Sequence, residues 1–341
     1  EPRRTSIGEG IQDFLTEDLI TEETMVVTIS SSGYVKRTVA DTYSAQARGG
    51  RGITGGKSKD GDVLSHLFVC STHDYLLVFT DRGRLFWLKV YRLPEQDRTA
   101  KGRSIRNLIE GIQPDEEIRS VIATRNFDEG EYLLFATEQG KVKKTELSSY
   151  SRPRNSGLIA TKLNDDDRLI GTRLVSAGDH VMIVTAGGQV VRFDEADARP
   201  MGRNAAGVKG ARLKAGDKVV DLVAGNEDEY LLIACENGYG KRTRIGEFRL
   251  TKRGSQGVVG IKANDRNGPV VNARNASRCS DVLFSTASGM LVRTKADDIS
   301  IQGRATQGVR LVNLKAEDKL IALAAIPQEQ AEESADGTAT E

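Results

Sequence analysis

Proline is scarce in this chain, at 7 of 341 residues; cysteine and histidine number three each, and aromatic residues make up 5%. Cys70, Cys235 and Cys279 are far apart and form no CxxC pair, which argues against a disulfide framework and for a reducing, cytoplasmic compartment. His66, His73 and His180 are scattered and no HExxH spacing occurs, so no metal set is evident. No apolar run approaches the ~18 residues of a membrane span, and no apolar segment near the start reads as a secretory signal. P-loop and catalytic-triad patterns are missing, and Asp165, Asp166 and Asp167 read as a solvated turn rather than a metal cluster. The chain opens with Glu1 instead of Met and reads as a piece of something longer.

Glycine, by contrast, is abundant: 35 residues, against an average of about 7%. With so little proline, this means tight turns rather than a disordered linker. The net charge of +1 hides an uneven distribution. Residues 1–24 and 328–341 each carry a net of −5. Residues 25–327 hold 47 of the 49 basic and 36 of the 48 acidic residues, a net of +11. A basic body between acidic ends suits a polyanion partner, with the ends as competitors for the same surface or as inert solvated segments.

The body repeats. An apolar run, a polar turn, a glycine and a second apolar and basic run recur six times, as in LLVFTDRGRLFWLK at 76–89 and LLIACENGYGKRTR at 231–244. The hairpin glycines are Gly33, Gly83, Gly140, Gly188, Gly238 and Gly289, spaced 48 to 57 residues apart. A second series, Gly52, Gly102, Gly157, Gly207, Gly257 and Gly308, keeps step with them. Short β-branched and Leu-rich runs around Gly, Asn and Asp turns predict strands and hairpins, and no sustained helical period is present. Each repeat has room for about four strands. Stacking such sheets radially covers their faces and leaves few free edges. The fold expected is therefore all-β, a six-bladed propeller-like disc of four-stranded blades, with an open β solenoid as the alternative. Blades are expected at roughly 25–75, 76–130, 131–179, 180–228, 229–280 and 281–327, after an acidic linker at 1–24 and before a disordered acidic tail at 328–341. The first glycine series suits two-residue hairpin turns with positive φ. The second suits either a sharp bend or close approach to a ligand.

Positive charge follows both registers. Four residues after the hairpin glycines stand Arg37, Trp87, Lys144, Arg192, Arg242 and Arg293, with Lys36, Lys143 and Lys241 beside three of them. Four residues before the second glycines stand Arg48, Arg98, Pro153, Arg203, Arg253 and Arg304, and Arg152 and Arg154 flank the proline. Lys101, Arg103 and Lys252 lie next to that register. Cyclic repetition places equivalent positions on circles, so these residues are expected to form a basic rim. Arginine and lysine without interleaved aromatics suit a phosphate backbone better than single-strand stacking, and no recognition helix is evident. Duplex DNA, bound largely independently of sequence, is the partner expected.

Gln46-Ala47-Arg48-Gly49-Gly50-Arg51-Gly52 resembles the seven-residue box of the bacterial DNA gyrase A subunit, Gln-Arg/Lys-Arg-Gly-Gly-Arg/Lys-Gly, at six of seven positions; Ala47 departs from it. The resemblance extends through GYVKR at 33–37, STHDYLL at 71–77, RGRLFWLKVYRLPE at 82–95, NGYGKRT at 237–243, RNGPVV at 266–271 and LVRTK at 291–295. It implies a six-bladed β-pinwheel at the carboxy terminus of that subunit, which wraps DNA around its rim with positive handedness and enables negative supercoiling by the whole enzyme. The box residues Gln46, Arg48, Gly49, Gly50, Arg51 and Gly52 would be needed for that wrap. The resemblance further implies ATP and Mg only in the whole enzyme, none in this piece. It implies two partners in a heterotetramer, the gyrase B subunit plus the rest of the gyrase A subunit. A bacterial, nucleoid-associated cytoplasmic protein follows, with no membrane partner and a monomeric fragment. The alternatives are the equivalent domain of a topoisomerase IV subunit, binding DNA without strong wrapping, and a protein-binding propeller.

Overall fold

The computed structural model describes residues 16–30, 32–39, 64–97, 100–109, 111–128, 130–315 and 317–327. The box at 46–52, Arg98 and the tail at 328–341 therefore lie outside the described residues. Blade 1 comprises β1 (Thr24–Ser30), β2 (Tyr34–Val39) and β3 (Leu64–Ser71). The second repeat has β4 (Tyr75–Thr80), β5 (Arg84–Lys89), the two-residue β6 (Arg103–Ser104), which pairs with β2 of blade 1, and β7 (Ile118–Thr124). The pattern continues through β8 (Tyr132–Thr137), β9 (Lys141–Glu146), β10 (Leu158–Ile159) and β11 (Leu169–Val175) to β12 (His180–Thr185), β13 (Gln189–Asp194), β14 (Val208–Lys209) and β15 (Val219–Gly225). It ends with β16 (Tyr230–Cys235), β17 (Tyr239–Arg244), β18 (Val258–Val259), β19 (Val270–Asn275), β20 (Cys279–Thr286), β21 (Leu291–Lys295), β22 (Val309–Arg310) and β23 (Leu320–Pro327).

All six sheets are antiparallel, and in the first five the outermost strand comes from the following repeat. The orders are β3-β1-β2-β6, β7-β4-β5-β10, β11-β8-β9-β14, β15-β12-β13-β18 and β19-β16-β17-β22; among the described residues the sixth sheet has three strands, β23-β20-β21. The inner strands pack side by side around the axis, from β3 through β7, β11, β15 and β19 to β23. β23 packs back on β3, so the disc is closed and the open solenoid is set aside.

Hairpin geometry explains the first glycine series, with one correction. In the first five blades the loop has three residues, not two, as in Asp81-Arg82-Gly83, and the glycine amide donates to the last residue of the incoming strand. Gly83 has φ +73°, the left-handed position that completes a three-residue loop. A Thr or Ser hydroxyl at the strand end accepts the amide four residues on, as Thr80 Oγ1 does from Arg84 and Thr137 Oγ1 from Lys141.

The second glycine series is also conformational. Gly102 and Gly308 have φ of +88° and +76°, and a Cβ on either would lie 2.7 Å from the carbonyl oxygen of Val35 or Gly240, on the second strand of the preceding blade. Close backbone packing accounts for these two positions.

The core lies between blades. Phe79 of β4 meets Phe135 of β8 edge-on, with centroids 5.6 Å apart, and Tyr150 joins them while donating its hydroxyl to Ala160 O at 2.9 Å. On the axis, Asp221 bridges Arg173 and Arg274 at 2.9 and 2.5 Å. Burial and those two guanidiniums push the nearby His66 imidazole down to about 4. Residues 20–23 pack on the turn between β3 and β4: Thr72 Oγ1 donates to Thr21 O and accepts from Glu23 N, and a His73 ring nitrogen meets Ile20 O.

Candidate nucleic-acid interface

The two basic registers prove to have different places. After its second strand, each repeat from the second onward makes a 3-10 turn, for example Glu195–Asp197, Ile245–Glu247 and Ala296–Asp298. The chain then runs parallel to the second strand of the preceding blade, bridging Arg37 to Glu95, Lys144 to Pro200, Arg192 to Leu250 and Arg242 to Ile301. The cations of the hairpin register sit in that seam.

Lys36, Lys143, Lys144, Arg192, Lys241 and Arg242 are all buried. Lys144 Nζ bonds Glu195 through both its carbonyl, at 3.1 Å, and its carboxylate. Arg192 donates to Ile245 O and Phe248 O at 3.2 and 2.9 Å and meets His180 Nδ1 at 2.7 Å. Arg242 donates to Ile299 O, Asp297 O and Asp297 Oδ1 at 2.8, 2.7 and 2.9 Å. Trp87 occupies the same place in blade 2, its indole N–H on Tyr150 O at 2.9 Å. Trp87, Lys144, Arg192 and Arg242 sew blades 2 to 5 to the carbonyl ends of the next blade's 3-10 turn. The expectation of a solvent-facing ring in this register is corrected accordingly. Arg37 is half-buried and pairs with Glu95 at 3.1 Å, while Arg293 is exposed and pairs with Asp281 at 2.8 Å. A polar group in a sheet covered on both faces needs a partner inside, and main-chain carbonyls supply most of these, while Arg37 Nε and Nη1 and Arg192 Nε are left without one among the described residues.

The second register faces solvent. Lys101, Arg103, Arg152, Arg154, Lys252 and Arg253 are exposed, and Arg203 and Arg304 are half-buried. Lys101 lies over the Tyr34 ring at 4.2 Å. Arg253 donates to Asp197 O and Lys209 O at 3.0 and 3.2 Å, and Lys252 pairs with Asp197 at 2.8 Å. These loops precede the outer strands and so lie at the periphery of the disc.

A further basic row went unread in the sequence. Lys162, Arg212 and Lys262 stand five residues after Gly157, Gly207 and Gly257, all exposed just beyond the outer strands. Lys209 and Arg310, on β14 and β22, add to it. The constant spacing from the second glycine was the signal available. Together these residues make an exposed cationic band suited to a polyanion backbone. Among the described residues no group of His, Cys, Asp and Glu is arranged to hold a metal ion, and no helix is long and apolar enough to cross a membrane.

Known proteins resemble this disc in architecture and sequence. A solved structure of a DNA gyrase A C-terminal domain superposes with a TM-score of 0.74 at 30% identity, covering 89% of this chain and 100% of that one. The C-terminal domain of a DNA topoisomerase IV gives 0.72 at 31% identity, over 89% and 93%. The DNA gyrase A subunit of Salmonella typhimurium is 43% identical over 336 residues, which is 98% of this chain and 38% of that protein. The chain thus spans less than two fifths of the length of that relative. The family model described as DNA gyrase C-terminal domain, beta-propeller matches in six segments, at 24–71, 74–125, 131–176, 179–226, 229–277 and 280–327, one to a blade. With a repeat-by-repeat match and a closed six-bladed ring, the chain belongs to the DNA gyrase C-terminal beta-propeller family.

Proposed function

We propose that this chain is the DNA-wrapping domain of a gyrase A subunit, holding duplex DNA by its phosphates around the disc. The observation that carries the reading is the exposed cationic band, repeated blade by blade on the outer edge of a closed ring. Bending a duplex by 40–90° over 20–30 bp costs roughly 1–6 kcal/mol, so a tight path needs contacts spread along it. Cations repeated on successive blades supply such contacts, and their side chains require no particular base. Positive handedness, a contribution of the box residues Gln46, Arg48 and Arg51, and negative supercoiling of DNA by the whole enzyme are part of the proposal. So are a B-subunit partner and the assignment of ATP and Mg chemistry to other parts of that enzyme.

The likeness to a topoisomerase IV domain keeps a second reading, in which DNA is bound without strong wrapping. Ligation of nicked plasmid circles with the purified chain separates the two. A positive linking-number shift that grows with protein is expected. Binding without a shift favours the topoisomerase IV reading, and neither binding nor shift overturns both.

A further inference from the structure

Three residues after the hairpin glycines, the ring reads Lys36, Phe86, Lys143, Val191, Lys241 and Val292. Lysine on blades 1, 3 and 5 alternates with an apolar side chain on blades 2, 4 and 6. The three lysines act alike. Lys36 Nζ donates to Asp97 O and Ala100 O at 3.1 and 2.9 Å. Lys143 Nζ donates to Ala160 O at 2.6 Å and to Arg203 O. Lys241 Nζ donates to Gly303 O and Arg304 O at 2.5 and 2.6 Å. All of these acceptors except Ala160 O lie in the loop that leads from the next repeat's 3-10 turn to its outer strand, the same loops that carry the rim arginines.

A trans peptide unit points its C=O and the following N–H in opposite directions. A carbonyl drawn inward by a lysine therefore presents the next amide outward. The amides so presented belong to Lys101, Asn204, Arg304 and Ala305. Arg304 and Ala305 are consecutive and make an anion-binding concavity beside a guanidinium, while Lys101 and Asn204 each present a single amide donor. We infer that Lys36, Lys143 and Lys241 are positioning residues for DNA binding, holding the rim loops so that amides and arginines together face phosphate. The inference rests on the DNA reading proposed above, and it makes alternate blades the tightly held contact points of the ring.

The lysines never reach the DNA, so a charge-sensitive readout is needed. Burial lowers both Lys143 and Lys241 to about 8. At Lys143 the neighbouring Arg203 adds to the lowering, and the Phe135 ring faces the ammonium at 5.4 Å. At Lys241 Glu247 and Cys235 oppose the lowering and Arg304 adds to it. Phosphates arriving outside the loop favour the protonated form, so binding takes up protons above pH 8 and weakens as pH rises through that value.

The test measures duplex affinity by fluorescence anisotropy at pH 7 and 9.5 and constant ionic strength, with the unaltered chain and with Lys143→Met/Lys241→Met. The unaltered chain is expected to weaken about tenfold between the two pH values. The double variant is expected to be about tenfold weaker at pH 7 and flat with pH. Lys241→Met alone, with thermal unfolding to confirm folding, serves if the double variant does not fold; it should lose part of the pH response. A folded variant that keeps the full affinity or the full pH response overturns the positioning role. Absence of DNA binding by the unaltered chain at every pH overturns the DNA reading itself, and the inference with it.

Discussion

Gly308 and Gly216 share a φ of +76°, yet their surroundings differ. A Cβ on Gly308 would lie 2.7 Å from Gly240 O, whereas one on Gly216 would meet nothing within 4 Å. Left-handed backbone costs an L-residue about 1–2 kcal/mol, and forced overpacking costs about 1–3 more. Gly216→Ala is therefore expected to lose about 1–2 kcal/mol and Gly308→Ala about 2–5 kcal/mol in urea unfolding. Equal losses would mean that the second glycine series serves conformation alone and not close packing. At this scale the sequence was partly legible. Periodic glycine identified the turns, because only glycine tolerates positive φ without cost. It did not reveal the third loop residue, since Gly83 suits a two-residue turn and a three-residue one equally.

Among elements, the same register serves two purposes. Arg242 is buried and joins β17 to the Ala296–Asp298 turn, whereas Arg293, on β21 of the last blade, is exposed and pairs with Asp281. Hydrogen bonds to charged groups are worth about 1.5–3 kcal/mol, so Arg242→Ala is expected to cost about 2–3 kcal/mol, with Asp297 free to rehydrate. Arg293→Ala should cost less than about 1 kcal/mol, as an exposed ion pair does. Thermal unfolding of the two variants checks the difference, and equal shifts would refute the seam. This contrast was hidden in the sequence for a physical reason. Strand periodicity separates inside from outside only when one face of a sheet is wet. Blades covered on both faces bury adjacent residues such as Lys143 and Lys144, so alternation carries no information there. The lysine–apolar alternation across blades was readable but has no meaning without the loops it holds.

For the whole molecule, the fold was legible because two glycine series in step require a repeating unit, and repeated sheets cover one another best by closing. Which cations face solvent was not, since it depends on a chain path that crosses from one blade to the next. Arg152 and Arg154 are exposed in the loop before β10. If each neutralises one phosphate, Arg152→Ala/Arg154→Ala should lower the log–log salt slope of DNA binding by about 1.8. Stability should move by less than about 0.5 kcal/mol, as for ordinary surface substitutions. An unchanged salt slope would remove these two residues from the interface.

The borrowed outer strand bears on how such a ring can change over evolutionary time. Duplicating or deleting one whole period, wherever the breakpoints fall, adds or removes a blade and preserves the strand exchange between neighbouring repeats. Recombination that shifts the chain by half a period strips a neighbour of its edge strand and exposes unpaired backbone. Ring size is thus inherited as a whole number, and a gene coding for this architecture passes from one size to another without viable intermediates.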